Sequence, residues 1–338
     1  MADTVLLTGI TGFLGGHLAR ELLASGYHVR GSLRNPARAD SLRAALGKAG
    51  ADLSRLDLVE LDLTRDTGWP AATDGARFVL HSASPFVTAM PRDRQELIGP
   101  AVGGTERALG AALAAGAERV VLTSSSVAIV NGRSGARPAR LGRDDWANPD
   151  DGRLNAYAES KVRAERRAWQ MVAGQEHRLT VINPGFILGP LLDDDPGTSG
   201  ALLQRFLRGK VPLAPNLWLH GVDVRDLARI HVAALTDPLA AGQRHPAAFA
   251  STDIMGIAQM IAAARPEYAR KMPKLRVPDW FIRLYATFDG DMRANLNELG
   301  YNPHLDATAA TRLLGQAPRP LPQSVADMAG SLIERGLV

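Results

Sequence analysis

Tyr157 and Lys161, in "NAYAESK" (155–161), stand four residues apart. On a helix that spacing places both on one face, turned to the same space. Such a pair can move a proton. A free phenol ionises at about pH 10 and is a poor base near neutrality. An ammonium beside it, and an oxidised nicotinamide, favour the phenolate and lower that value. The phenol then gives a proton to a carbonyl oxygen, or takes one from an alcohol. A second hydroxyl is needed to hold that oxygen as charge develops. "TSSS" (123–126) offers candidates for it. The bland alternative is an exposed helix with a solvated lysine, so the surrounding elements have to decide.

Those elements alternate. "TVLLT" (4–8), "YHVRGSL" (27–33), "RLDLVELDL" (55–63), "RFVLHSA" (77–83), "RVVLTSSSVAIV" (119–130) and "RLTVINPG" (178–185) read as buried strands or strands with their exits. Residues 13–26, 40–50, 93–116 and 155–172 carry helical spacing between them. Strand and helix in turn predict an α/β fold, a doubly wound parallel sheet. In such sheets ligands sit at the carboxyl ends of the strands, where the serine run falls. After Pro184 prolines and glycines cluster, and one further strand-helix unit stands at 217–235. The expected organisation is a dinucleotide-binding domain over 1–183, with 216–250 returning to it. Residues 184–338 form mainly a smaller, substrate-binding lobe.

Between the first strand and first helix, "LLTGITGFLGGHL" spaces Gly9, Gly12 and Gly15 as G-x-x-G-x-x-G. Glycines there let the backbone turn tightly and approach a pyrophosphate, which meets the amides opening the helix. The alternative is a tight turn without ligand. An acidic residue that would hold a ribose 2′-hydroxyl is missing after the second strand. "SLRNPAR" puts Arg34 there instead, with Arg38 four residues on. A guanidinium pairs bidentately with a 2′-phosphate, so NADP(H) is expected over NAD(H).

Composition narrows the field. The 338 residues are 46% hydrophobic, with a formal net charge of +4 and no cysteine. A sizeable core is available, and disulfides, thiolate metal sites and a thiol nucleophile are excluded. Basic residues are scattered among acids, so no nucleic-acid partner is expected. No apolar run is long enough for a signal peptide or a membrane span, which predicts a cytoplasmic protein. "LDDDP" (192–196) reads as a solvated turn, and His81 as a packed strand-end residue. No histidine pair has metal spacing.

The chain resembles an extended short-chain dehydrogenase/reductase of the dihydroflavonol reductase-like branch. That branch includes plant dihydroflavonol and cinnamoyl-CoA reductases and yeast-type NADPH-dependent carbonyl reductases. The matching stretches are "TGITGFLG", "VRGSLRNPAR", "LDL", "HSASPF", "RVVLTSSSVAI", "NAYAESK" and "NPGFILGP", in order across residues 5 to 190. The resemblance implies Tyr157 as general acid/base, Lys161 on the nicotinamide ribose, and Ser125, rather than Ser124 or Ser126, as the catalytic serine. It implies cofactor contacts from Gly9, Thr11, Gly12, Phe13, Leu14, Gly15, Asp62, Leu63, Ala83, Ser84, Thr123, Pro184, Gly185 and Ile187. It also implies a homodimer through the long helices. Phe86, Val127 and Phe186 either line an apolar substrate pocket or belong to the core.

The sequence departs from the wider pattern at two places. Ala101 stands where many extended members carry Asn, which disfavours sugar-nucleotide chemistry. Val130 stands where dihydroflavonol reductases carry the Asn that binds a flavonoid. The expected function is reversible NADPH-dependent reduction of an aldehyde or ketone. The alternatives are an epimerase or dehydratase that retains NAD, and a non-catalytic dinucleotide sensor.

Overall fold

The computed structural model describes residues 2–85, 91, 93–133, 137–150, 152–288 and 290–338. The chain opens β1 (Thr4–Thr8), α1 (Phe13–Ala24), β2 (His28–Leu33), α2 (Ala39–Lys48), β3 (Leu56–Glu60), α3 (Trp69–Thr73), β4 (Phe78–His81), α4 (Gln95–Ala114) and β5 (Arg119–Thr123). It continues α5 (Val127–Val130), β6 (Arg140–Leu141), α6 (Ala156–Met171), β7 (Leu179–Pro184), β8 (Phe186–Leu188), α7 (Gly197–Leu207), β9 (Trp218–Asp223), α8 (Val224–Thr236), β10 (Arg244–Ala247), β11 (Ala250–Asp253) and α9 (Ile254–Ala264).

Seven strands form one sheet in the order β3-β2-β1-β4-β5-β7-β10. Each neighbouring pair is parallel. A parallel sheet must be covered on both faces, hence the near-continuous apolar runs of its central strands. β1 shows why. Val5 and Leu7 enter a core shared with Leu18 and Leu22 of α1, Leu42 and Leu46 of α2, and Leu227 of α8. Leu6 enters the opposite core with Trp69 of α3, Leu109 of α4 and Ala168 of α6.

The chain order reverses between β1 and β4, the place where such sheets open a crevice at their carboxyl ends. The fold is thus the doubly wound α/β sheet that the alternation predicts.

Past β7 the pattern is more broken. β8, β9 and β11 form a separate three-stranded sheet. A second core, with Leu203 and Phe206 of α7, Ile257 and Ile261 of α9, and Val325 and Met328 of the helix Leu321–Glu334, lies beside it. Of the stretch 216–250, α8 and β10 pack with the large sheet, whereas β9 pairs with β8 and β11. Among the described residues, no helix is long and apolar enough to cross a membrane.

Candidate functional site

At the β1–β4 crevice the backbones leave almost no room. Gly9 has φ +74°, and a Cβ on it would lie 2.8 Å from the Ala83 Cα. A Cβ on Gly15 would lie 2.0 Å from the Gly9 carbonyl oxygen. These two glycines are required by the protein's own packing. Gly12 differs: it is exposed, and a Cβ there would meet only the Gly9 oxygen, at 3.5 Å. The space over Gly12 is therefore open for a ligand.

Gly12 also caps α1, with neither a side-chain cap nor an acidic residue in the first turn. The first turn holds Phe13 and Leu14 and follows Thr11, so amides and the positive end of the helix face this opening. The cradle fits a dinucleotide pyrophosphate. Gly12→Ala is expected to weaken dinucleotide binding roughly 5- to 150-fold, as a methyl pressed into a close contact costs about 1–3 kcal/mol. The fold should lose only about 1 kcal/mol at the cap. Gly15→Ala should instead unfold at markedly lower temperature, and thermal melting with a binding titration separates the two.

Beyond β2, Arg34 is exposed and Arg38 partly so. Asp62 lies close enough to feel the Arg34 charge, but its carboxyl is pulled below the usual range chiefly by the Thr64 amide and hydroxyl. Those two groups donate to Asp62 Oδ1 at 2.8 and 2.7 Å. Leu63 packs against Gly104 of α4. Ala83 is fixed by its amide donating to Thr8 Oγ1 at 3.1 Å, and Ser84 is half-buried beside it. His81 closes β4 fully packed, hydrogen-bonded through Nδ1 to Thr8 Oγ1 at 2.8 Å. Burial pushes its imidazole down to about 3, so it stays neutral.

Asn155 starts α6 by accepting from the Ala158 amide at 2.8 Å, which aims Tyr157 inward one turn before Lys161. The Lys161 Nζ lies 5.9 Å from the Tyr157 ring centroid. Of the three serines it is Ser125 whose hydroxyl meets the Tyr157 phenol. Ser124 is committed elsewhere, donating to Glu165 Oε2 at 2.6 Å.

The expectation from sequence is a phenolate favoured by an ammonium and an oxidised nicotinamide together; burial in the protein's own site acts against them. Burial pushes Tyr157 above its ordinary value, only partly offset by the Ser125 hydrogen bond. The loss of hydration, invisible in the spacing, sets this direction. Lys161 itself is pushed down to about 8 by burial, with Glu165 pulling the other way.

Glu165, one turn beyond Lys161, was not singled out from sequence. It is 1% exposed and accepts from Ser124, from Asn183 Nδ2 at 2.8 Å and from Arg244 Nε at 2.5 Å. Asn183 Nδ2 also donates to the Ser125 carbonyl at 3.3 Å. One carboxylate thus ties together the serine run, α6, β7 and β10.

Pro184 accepts from the Ser126 amide at 2.8 Å, and Gly185 donates to Ala247 at 3.0 Å where a Cβ would strike His220. Thr123 stands at the end of β5, but its hydroxyl is engaged by His231 Nε2 at 2.9 Å. Phe186 packs against the second core and Ile187 against the first. Val127 lies against Ala128, Leu154 and Ala158. Phe86 lies outside the described residues. The "LDDDP" stretch is no solvated turn at Asp193, which is half-buried and ion-paired to Arg38 at 3.2 Å.

The NAD dependent epimerase/dehydratase family model matches residues 5–271. Cinnamoyl-CoA reductase 1 of Arabidopsis thaliana is 32% identical over 267 residues, covering 78% of this chain and 76% of that protein. A putative dihydroflavonol 4-reductase of Synechocystis sp. is 30% identical over 341 residues, covering 97% and 94%. Gre2 of Candida albicans, solved in complex with NADPH, superposes with a TM-score of 0.77 at 26% identity, covering 98% of this chain and 99% of that one. The glycine cradle, the Ser-Tyr-Lys cluster and likeness along nearly the whole chain point one way: this protein belongs to the NAD dependent epimerase/dehydratase family, among the extended short-chain dehydrogenase/reductases similar to cinnamoyl-CoA and dihydroflavonol reductases.

Proposed function

We propose that the protein is an NADPH-dependent reductase of aldehydes or ketones. The observation that carries this reading is the Ser125 hydroxyl beside the Tyr157 phenol, with Lys161 on the next turn of α6, together with the glycine cradle. The family name covers epimerases too, and the relatives named as reductases together with Arg34 and Arg38 favour reduction with a 2′-phosphorylated cofactor. When bound, NADPH supplies the hydride. The amides at the start of α1 and the open face of Gly12 would hold its pyrophosphate, and Arg34 would pair with its 2′-phosphate.

The protein's own part is proton handling. Ser125 Oγ–H holds the substrate oxygen, and Tyr157 Oη–H gives it the proton. A phenol kept protonated by burial suits that direction, because it must donate and not accept. Lys161 contributes charge beside the phenol as it ionises. That charge is lost as pH rises through about 8. Since kcat/KM reports the free enzyme, it is expected to fall through that same range.

The test is consumption of reduced nicotinamide with NADPH and NADH offered separately, over a panel of small aryl aldehydes and ketones. Turnover with NADPH in clear excess over NADH supports the reading. Dinucleotide binding with no turnover on any carbonyl would sink it in favour of a sensor.

A further inference from the structure

Arg38 and Asp193 are 155 residues apart in sequence, yet Arg38 Nη2 donates to Asp193 Oδ2 at 3.2 Å. Their side chains are 41% and 29% exposed, so the pair is partly sheltered from water. Asp193 belongs to a strap, residues 189–197, laid along the start of α1. Leu192 lies over Gly16 and Gly197 over Phe13. Leu192 and Asp193 line one groove with Gly12 and Phe13. The strap is tied from the far side by Arg335, which donates to Asp194 Oδ1 at 2.9 Å and to the Leu192 carbonyl at 2.7 Å. Asp193 Oδ1 accepts from the Asp195 amide at 3.0 Å, which fixes the carboxylate's direction.

We propose that Asp193 is a cofactor-selectivity residue, an internal carboxylate that holds the Arg38 guanidinium and must yield it to the 2′-phosphate of NADP(H). This rests on the reading of the chain as an NADP(H) reductase. A phosphate carries nearly two negative charges at neutral pH, so it and the carboxylate compete for one guanidinium. A ribose 2′-hydroxyl makes no such demand, and NAD(H) leaves the pair in place. Asp193 therefore weakens NADP(H) binding without touching NAD(H), and it narrows the preference that Arg34 and Arg38 create.

The test is direct titration of NADPH and NADH, read by the fluorescence of the reduced nicotinamide. Wild type is compared with Asp193→Asn, Arg38→Ala, their double variant and Asp194→Asn. Asn at 193 can still accept from the Asp195 amide, so the strap keeps its turn. Asp193→Asn is expected to tighten NADPH by up to about fivefold, the scale of a partly exposed ion pair, and to leave NADH unchanged. Asp194→Asn removes the same charge from the same strap but is paired to Arg335, and should leave the NADPH/NADH ratio as it is. In the Arg38→Ala background the Asp193 effect should vanish, since distant, independent sites add and coupled ones do not.

An equal shift for both dinucleotides, no shift at all, or an effect that survives without Arg38 would overturn the proposal. A wild type that binds NADH as tightly as NADPH, or neither, would overturn the cofactor reading itself. The two failures are thus told apart by the wild-type titration alone.

Discussion

Replacing Tyr157 with Phe is expected to lower kcat for carbonyl reduction by roughly 10²- to 10⁴-fold, the share that a positioned general acid contributes. The ring stays and only the Oη–H is lost. The phenol's partner, Ser125, keeps its second contact, accepting from the Val127 amide at 3.4 Å. Binding of NADPH should therefore be unchanged within about twofold, because the pyrophosphate cradle lies on α1 and not on α6. Single-turnover rates and a binding titration on the same preparation measure both. A variant that keeps most of its kcat would remove Tyr157 as proton donor. One that loses kcat and dinucleotide binding together would mean that the substitution disturbed α6 rather than the chemistry. Ser125→Ala should act in the same direction, and the two losses should not add, since both groups hold one oxygen.

Much of the fold could be read along the chain because its signals are local. β1 is a short apolar run, Gly9 needs a positive φ at a tight turn, and Asn155 caps α6 in "NAYAESK". The parts that were hidden are of another kind. β10 is "RHPA", a polar, proline-bearing edge strand that only its pairing with β7 reveals. β9 looked like a strand returning to the main sheet, and its register with β8 and β11 is set by tertiary contacts. Spacing names the neighbours of Tyr157 but says nothing of lost water, and it is burial that raises the phenol's pKa. The Arg38–Asp193 pair and the Glu165 contacts join residues far apart in sequence, and no periodicity announces them. The clearest signal available for Glu165 was its place at i+4 from Lys161 on an inward face of α6.

Exchanging Glu165 for Gln is the second large effect expected. Arg244 and Glu165 have side chains only 6% and 0% exposed, and their ion pair is 2.5 Å long. The guanidinium also donates to the carbonyls of Arg143 at 2.8 Å and Asp145 at 2.5 Å, and stacks over Trp146 at 3.7 Å. These contacts hold it in place when its counter-charge goes. Removing one partner of a buried pair leaves the other uncompensated, at a cost of about 3–5 kcal/mol. For a chain of this size that corresponds to a melting temperature lower by roughly 10 °C. Arg244→Met should cost a similar amount, and the double variant less than the sum. The same carboxylate pulls the Lys161 ammonium upward against burial. Without it Lys161 loses its proton below its present value of about 8. The high-pH fall of kcat/KM should then move to lower pH, a shift that a purely structural role for Glu165 would not produce. A destabilised variant with an unmoved profile would restrict Glu165 to holding the strands and α6 together. A profile displaced toward acid would place it in the electrostatics of the Tyr157–Lys161 pair as well.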